Sequence, residues 1–139
     1  MAQNTMNAEA AVHSEVWKQT LSERLLESAL VGAHYGYLTK SEQIIDSVKE
    51  FRPEKKGPLV IGALSRLHAG YIDDAITMLR DTVLAKYPDY STAKGFLAVA
   101  YRMAVHEQEF LKLSNELISE SSDAPIAEIV RVLKAEKTS

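Results

Sequence analysis

No cysteine occurs anywhere in the 139 residues. That absence excludes a disulfide framework and a thiolate zinc site, and it suits a reducing compartment. Charge of one sign is not in excess either: 16 Lys+Arg stand against 19 Asp+Glu, a net charge of −3. Nucleic-acid binding needs a basic face that neutralises phosphates, and this balance offers none. No apolar run approaches the roughly 18 consecutive residues that cross a bilayer. Residues Met1 to His13 lack the basic patch and apolar stretch of a secretory signal. The expected location is therefore the cytoplasm, with neither nucleic acid nor membrane as a partner. A glycine-rich phosphate loop and a nucleophile elbow are also missing, so no enzyme activity and no cofactor are expected.

Proline and glycine are scarce, with four and six copies, and what fills the space between them has helical period. From Glu15 the residues Val16, Trp17, Thr20, Leu21, Leu25, Ala29 and Gly32 form one stripe, and Leu26, Leu30 and Ala33 a second. A helix apolar on more than one face has two packing partners, or one neighbour and one ligand. It is expected over 15–33, ending near Gly36, after a flexible tail over 1–14 that has too few large apolar groups to offset its ordering entropy. A second helix starts at Thr39, with Glu42 at capping-box spacing, carries Ile44, Ile45, Val48 and Phe51, and stops at Pro53. Further helices are expected over 58–68, 72–85, 91–104, 108–119 and 125–135. Ala69-Gly70 closes the third, and Asp123 caps the last. No segment alternates with period two, so the class is all-α, with short connections that lay consecutive helices side by side.

The helix pairs repeat. Gly70-Tyr71-Ile72-Asp73-Asp74-Ala75 reads as the turn and second-helix start of a tetratricopeptide unit, whose period is roughly 34 residues. At that spacing Ala29 falls on Ala63, Leu25 on Leu59, Ile45 on Leu79 and Val48 on Thr82, while Pro53 lies one position out of step with Pro88. A third unit around Leu97-Ala98-Val99-Ala100-Tyr101 fits with one extra residue between units, although Phe110 falls where a small residue belongs. The expected architecture is a tetratricopeptide-like stack of three helix hairpins, an αα-solenoid. Its units cover about 22–55, 56–89 and 91–124, within a domain over 15–139. A C-terminal capping helix over 125–137 turns Arg131, Lys134 and Glu136 to water, because one pair cannot bury its own face.

Two stretches carry a narrower resemblance. Leu26-Glu27-Ser28-Ala29-Leu30-Val31-Gly32 with Ser41-Glu42-Gln43-Ile44-Ile45, and then Ile61 through Ala75, resemble the helix pairs of type III secretion needle-subunit chaperones of the YscG/PscG kind. Arg52-Pro53 together with Gly70 to Ala75 is similar to the helix pairs of plant-pathogen type III proteins called Hrp. The chain departs from the needle-chaperone pattern in its longer N-terminus and in having Ala33-His34-Tyr35-Gly36 where a cysteine is common. The resemblance implies a cytoplasmic chaperone that holds a needle-type subunit, usually with a small co-chaperone, and prevents its polymerisation before export.

In stacked hairpins the first helix of each pair lines the concave side. The expected partner-binding groove is therefore Leu26, Leu30, Ala33 and His34 from the first unit, and Val60, Leu64, Leu67 and His68 from the second. The third adds Val99, Arg102 and Met103 beside Gly95. The set is aliphatic with one adaptable thioether, which suits an amphipathic helix. Core packing competes for each leucine taken singly. Arg102 is read as a hydrogen-bond donor to a partner carboxylate or as a solvated arginine. His34 and His68 share a repeat position but lack the spacing of a metal pair, and no metal site is expected. Two other readings stay open: a translocator chaperone gripping an extended peptide, and a self-associating scaffold or homodimer.

Overall fold

The structure is a computed structural model that describes residues 2–120 and 124–137. Helix α1 covers Ala2–His34, α2 Leu38–Phe51, α3 Gly57–His68 and α4 Ile72–Thr77. Helix α4 runs through a π-helical turn, Met78–Val83, into the short α5, Leu84–Lys86. Then come α6 at Ser91–Met103, α7 at Glu107–Glu120 and α8 at Ala124–Lys137. Among the described residues there is no strand, so the protein is all-α as its periodicity predicts. Helix α1 departs from expectation by starting at Ala2 instead of Glu15. Neither glycine nor proline interrupts the chain before Gly32, and Ala8, Glu9, Ala10 and Ala11 are strong helix formers, so nothing stops the helix from running on. Residues 2–14, expected as a flexible tail, are helical. The side chains of Asn7 to Trp17 are nevertheless exposed, which is why amphipathic patterning did not extend the helix there. The loop expected at Ser121-Ser122-Asp123, with Asp123 as a cap, lies outside the described residues.

Three turns share one geometry. Gly36, Gly70 and Val105 have φ of 93°, 92° and 61°. In each turn the next residue's N–H reaches back to a carbonyl five positions earlier: Tyr37 to Gly32 at 2.8 Å, Tyr71 to Arg66 at 2.8 Å, and His106 to Tyr101 at 2.9 Å. This is the Schellman closure, which needs a left-handed residue after the helix. The same three residues then start the following helix, their carbonyls accepting from the N–H of Ser41, Ala75 and Phe110. Glycine adopts the left-handed torsion freely, whereas valine's branched Cβ makes it costly.

The π turn explains the break in register. Arg52 and Tyr87 end their helices alike, their N–H groups donating to Val48 and Val83 at 2.7 and 2.8 Å, so Val83 is the counterpart of Val48. Val83 is fully buried and Thr82 exposed, which corrects the pairing of Val48 with Thr82. The extra residue sits inside the second helix of the second unit, where the π turn absorbs it, and not between units. A single inserted residue of this kind is the usual origin of a π-bulge.

Packing follows the same repetition. Helix α1 packs on α2 and α3, α3 on α4 and α6, and α6 on α7 and α8, so each hairpin rests on the next. Ala29, Ala63 and Ala98 occupy one repeat position and are all fully buried. At Gly32 a Cβ would lie 2.8 Å from the Ser41 hydroxyl, so a larger residue there would force the serine side chain to shift. Phe110, out of place by size in the sequence pattern, is the largest fully buried side chain and joins the cluster that includes Leu117 and Val130. Burying such side chains stabilises by roughly 1.5–3 kcal/mol each. On the capping helix Arg131 faces solvent, but Lys134 is half-buried and donates to Asn115 at 2.7 Å; the Glu136 side chain lies outside the described residues.

Two tests follow from the turns. Val105→Gly is expected to raise stability by about 1 kcal/mol, read from the urea midpoint, because it relieves the left-handed valine. Deleting Thr82 is expected to turn the π segment into a regular α-helix with Val83 still inward and unfolding still cooperative. Deleting Ala63 from the straight α3 rotates one buried face against the other and is expected to abolish cooperative unfolding.

Candidate functional site

Between α3 and α6 lies a cavity of about 260 Å³ lined by Leu64, Leu67, His68, Phe96, Val99 and Met103. Five of these were expected in the groove, and the two helices bring them together because positions one repeat apart face the same side. Leu64 and Leu67 form the floor at 9% and 8% exposure, while Met103 stands at the rim at 50%. The space is below the roughly 300–1,000 Å³ typical of small-ligand pockets, so it fits one or two protruding side chains. No lining side chain carries a permanent charge.

The remaining expected residues divide. Leu30 packs partly buried against the same core. The imidazole of His34 lies edge-on to that of His68 at 5.8 Å between centroids, and 5.2 Å from the Tyr35 ring, which extends the cleft's end toward α1. Ala33 and Val60 are sealed in the core at 0% and 3% exposure, which removes them from any groove surface. Their repeat positions point between the helices. Leu26 lines a different cavity of about 200 Å³ with Ser22, Val48, Arg52 and Pro58. Arg102 is held by Glu107 at 2.9 Å and lies 5.7 Å from the Phe110 ring, both within the third hairpin. Phe96 was missed. It shares a repeat position with Glu27 and Ile61, and its neighbour Leu97 absorbed the apolar signal.

Arg52, read from sequence only as half of a motif, proves to be a clamp. It is 3% exposed; its Nη2 donates to the Glu15 carboxylate at 2.6 Å and its Nε to Glu54 at 2.9 Å, tying the start of α2–α3 to the middle of α1. Glu54 titrates below its ordinary range, first through a backbone hydrogen bond and then through Arg52. Asp81 is likewise lowered by the hydrogen bond from Arg80, and burial pushes the Tyr90 phenol up. These groups lie outside the cleft. Among the described residues no three His, Cys, Asp or Glu side chains gather as a metal site, and no helix is long and apolar enough to cross a membrane.

A family model described as bacterial type III secretion protein (HrpB1_HrpK) matches residues 13–139. The chain belongs to that family. Searches of curated proteins and of solved structures returned no match. The match covers α2 through α8 and most of α1, so in this type III secretion protein the cleft and the Arg52 clamp both lie within the family region.

Floor and rim of the cleft separate stability from binding. Leu64→Ala is expected to cost about 2–4 kcal/mol in urea unfolding, because it empties part of the core. Met103→Glu, at a half-exposed rim, is expected to stay within about 0.5 kcal/mol of the parent. Equal losses would mean that the rim is core and that the cleft is not a surface.

Proposed function

We propose that this type III secretion protein is a non-catalytic chaperone whose α3–α6 cleft holds an amphipathic helix of a secreted component. The observation that carries the reading is the cleft itself: a buried aliphatic floor, a half-exposed thioether rim and no permanent charge. Such a surface covers the apolar face of a helix and adapts to its side chains. The tetratricopeptide-like reading of the stack is supported by the three equivalent turns and the recurring buried alanines. The likeness of residues 26–32, 41–45 and 61–75 to needle-subunit chaperones points to a needle-type subunit as the client, held in the cytoplasm with or without a small co-chaperone.

A self-associating scaffold is the second reading. It is favoured by the exposed Val16 and Trp17 on α1, which are not among the residues that line the cleft. Co-expression with the needle-type subunit, followed by size-exclusion chromatography with light scattering, separates the two. The expected result is a discrete low-order complex that Met103→Glu combined with Val99→Asp dissolves while far-UV helicity is kept. A homodimer that ignores the subunit and is broken by Trp17→Glu would overturn the chaperone reading.

A further inference from the structure

The three hairpins differ at one set of positions. Arg24, Ser28 and Val31 of α1 correspond by repeat to Pro58, Gly62 and Ser65 of α3, and to Ala93, Leu97 and Ala100 of α6. All six residues on α3 and α6 are buried, whereas the three on α1 are exposed, Val31 at 57%. Each of the three first helices packs on its own second helix and on the helix that opens the next unit. What α1 alone lacks is a preceding hairpin. Gly62 shows what that hairpin contributes, since a Cβ there would meet the Ile45 side chain of α2 at 3.9 Å. The stack is therefore open at its α1 end, and that end is not the polar face of a capping unit. Val31, Tyr35 and Tyr37 border a shallow depression on it. Trp17, 58% exposed, stands on the same side of the helix, because the 18 residues from Trp17 to Tyr35 make about five whole turns.

We infer that this open face pairs with the same face of a second copy, α1 against α1, antiparallel about a two-fold axis between Arg24 and Ser28. A further hairpin in series would need the contact that sets one unit on the next. Arg66 of α3 makes it, pairing with Glu42 of the preceding hairpin at 3.1 Å, but the equivalent residue on α1 is Gly32. A two-fold interface must instead be complementary to itself, and this row is. With the axis at residue 26, Trp17 meets Tyr35 of the second copy and Leu21 meets its Val31. Arg24 falls opposite Ser28 and beside Glu27 of the second copy, so no like charges meet on the axis. Arg24 and Glu27 of one copy pair at 3.7 Å and are both exposed, so exchanging partners across the axis costs little. The row is only about 27 Å long at 1.5 Å per residue. That places the interface at the small end of specific contacts, with dissociation in the micromolar range. None of these residues lines the cleft, so a dimer formed here is compatible with a client held there.

Sedimentation velocity of the whole protein alone, from about 1 to about 200 µM, tests this. A monomer–dimer equilibrium is expected, weakened at least about tenfold by Val31→Glu with far-UV helicity kept, and unchanged by Met103→Glu. The chain has no cysteine, so single cysteines report the geometry through a short bismaleimide. Ser28→Cys is expected to cross-link to itself, and Glu128→Cys on the exposed side of α8 neither to itself nor to Ser28→Cys. A monomer at every concentration, a dimer indifferent to Val31→Glu, or cross-links between Ser28→Cys and Glu128→Cys chains would overturn the inference. The client test stands apart from these outcomes, because it turns on whether the needle-type subunit is bound.

Discussion

Each hairpin here closes on one backbone torsion. A helix that ends with a left-handed residue can return its orphan carbonyls to the next N–H groups and reverse within three residues. Gly36, Gly70 and Val105 do this in turn, and each closure sets the point at which the following helix meets its partner. Once those meeting points recur, the small residues at Ala29, Ala63 and Ala98 fall into one plane of close approach, and α1, α3, α6 and α8 follow one another in contact. The cleft is a consequence of that order. Positions 64, 68, 99 and 103 share a surface only because the hairpins that carry them are closed alike.

How much of this the sequence reveals depends on whether a constraint leaves a chemical trace. Glycine at 36 and 70 announces the left-handed torsion. At 105 valine hides it, because the contacts of α6 with α7 and α8 impose a torsion that local preference disfavours. The out-of-step prolines Pro53 and Pro88 reveal one surplus residue but not its place, since a π turn has no composition of its own; only the burial of Val83 and exposure of Thr82 locate it. The start of α1 was misjudged for the opposite reason. Burial patterning cannot mark a helical segment that buries nothing, and over residues 7–17 only propensity remains.

The site was legible to the same degree. Repeat logic gathered Leu64, Leu67, His68, Val99 and Met103, which line one cleft, yet it assigned Ala33 and Val60 to the surface when both are sealed inside. A helix in such a stack touches a partner in its own hairpin and another in the next, and the concave strip between those contacts is only about one residue wide per turn. An error of one position, or 100° of rotation, moves a side chain from groove to core. Arg52 illustrates a role that no period reports. Two of its three nitrogens, Nη2 and Nε, donate to carboxylates 37 residues and two residues away in the chain, and such long-range pairing has no local signature. Because Glu15 and Glu54 remain largely solvated, the desolvation penalty of the clamp falls on the arginine side alone.

Placing the cleft on the seam between two hairpins couples it to the core without making it hostage to the core. Leu64 and Leu67 hold α3 to α6 and also form the floor, so the depth of the cleft is fixed by packing that the fold needs in any case. His68, Val99 and Met103 stand above that floor, where substitution changes what the cleft prefers far more than whether it exists. A cavity of this size admits one or two anchors and cannot by itself give tight binding; affinity for a whole subunit requires further contact along the row of first helices or at the ring cluster on its edge. Moderate affinity is what the proposed chaperone role requires, since a client destined for export must leave. On that proposal, substitution at the rim tunes the choice of client without deepening the apolar hold that would retain it.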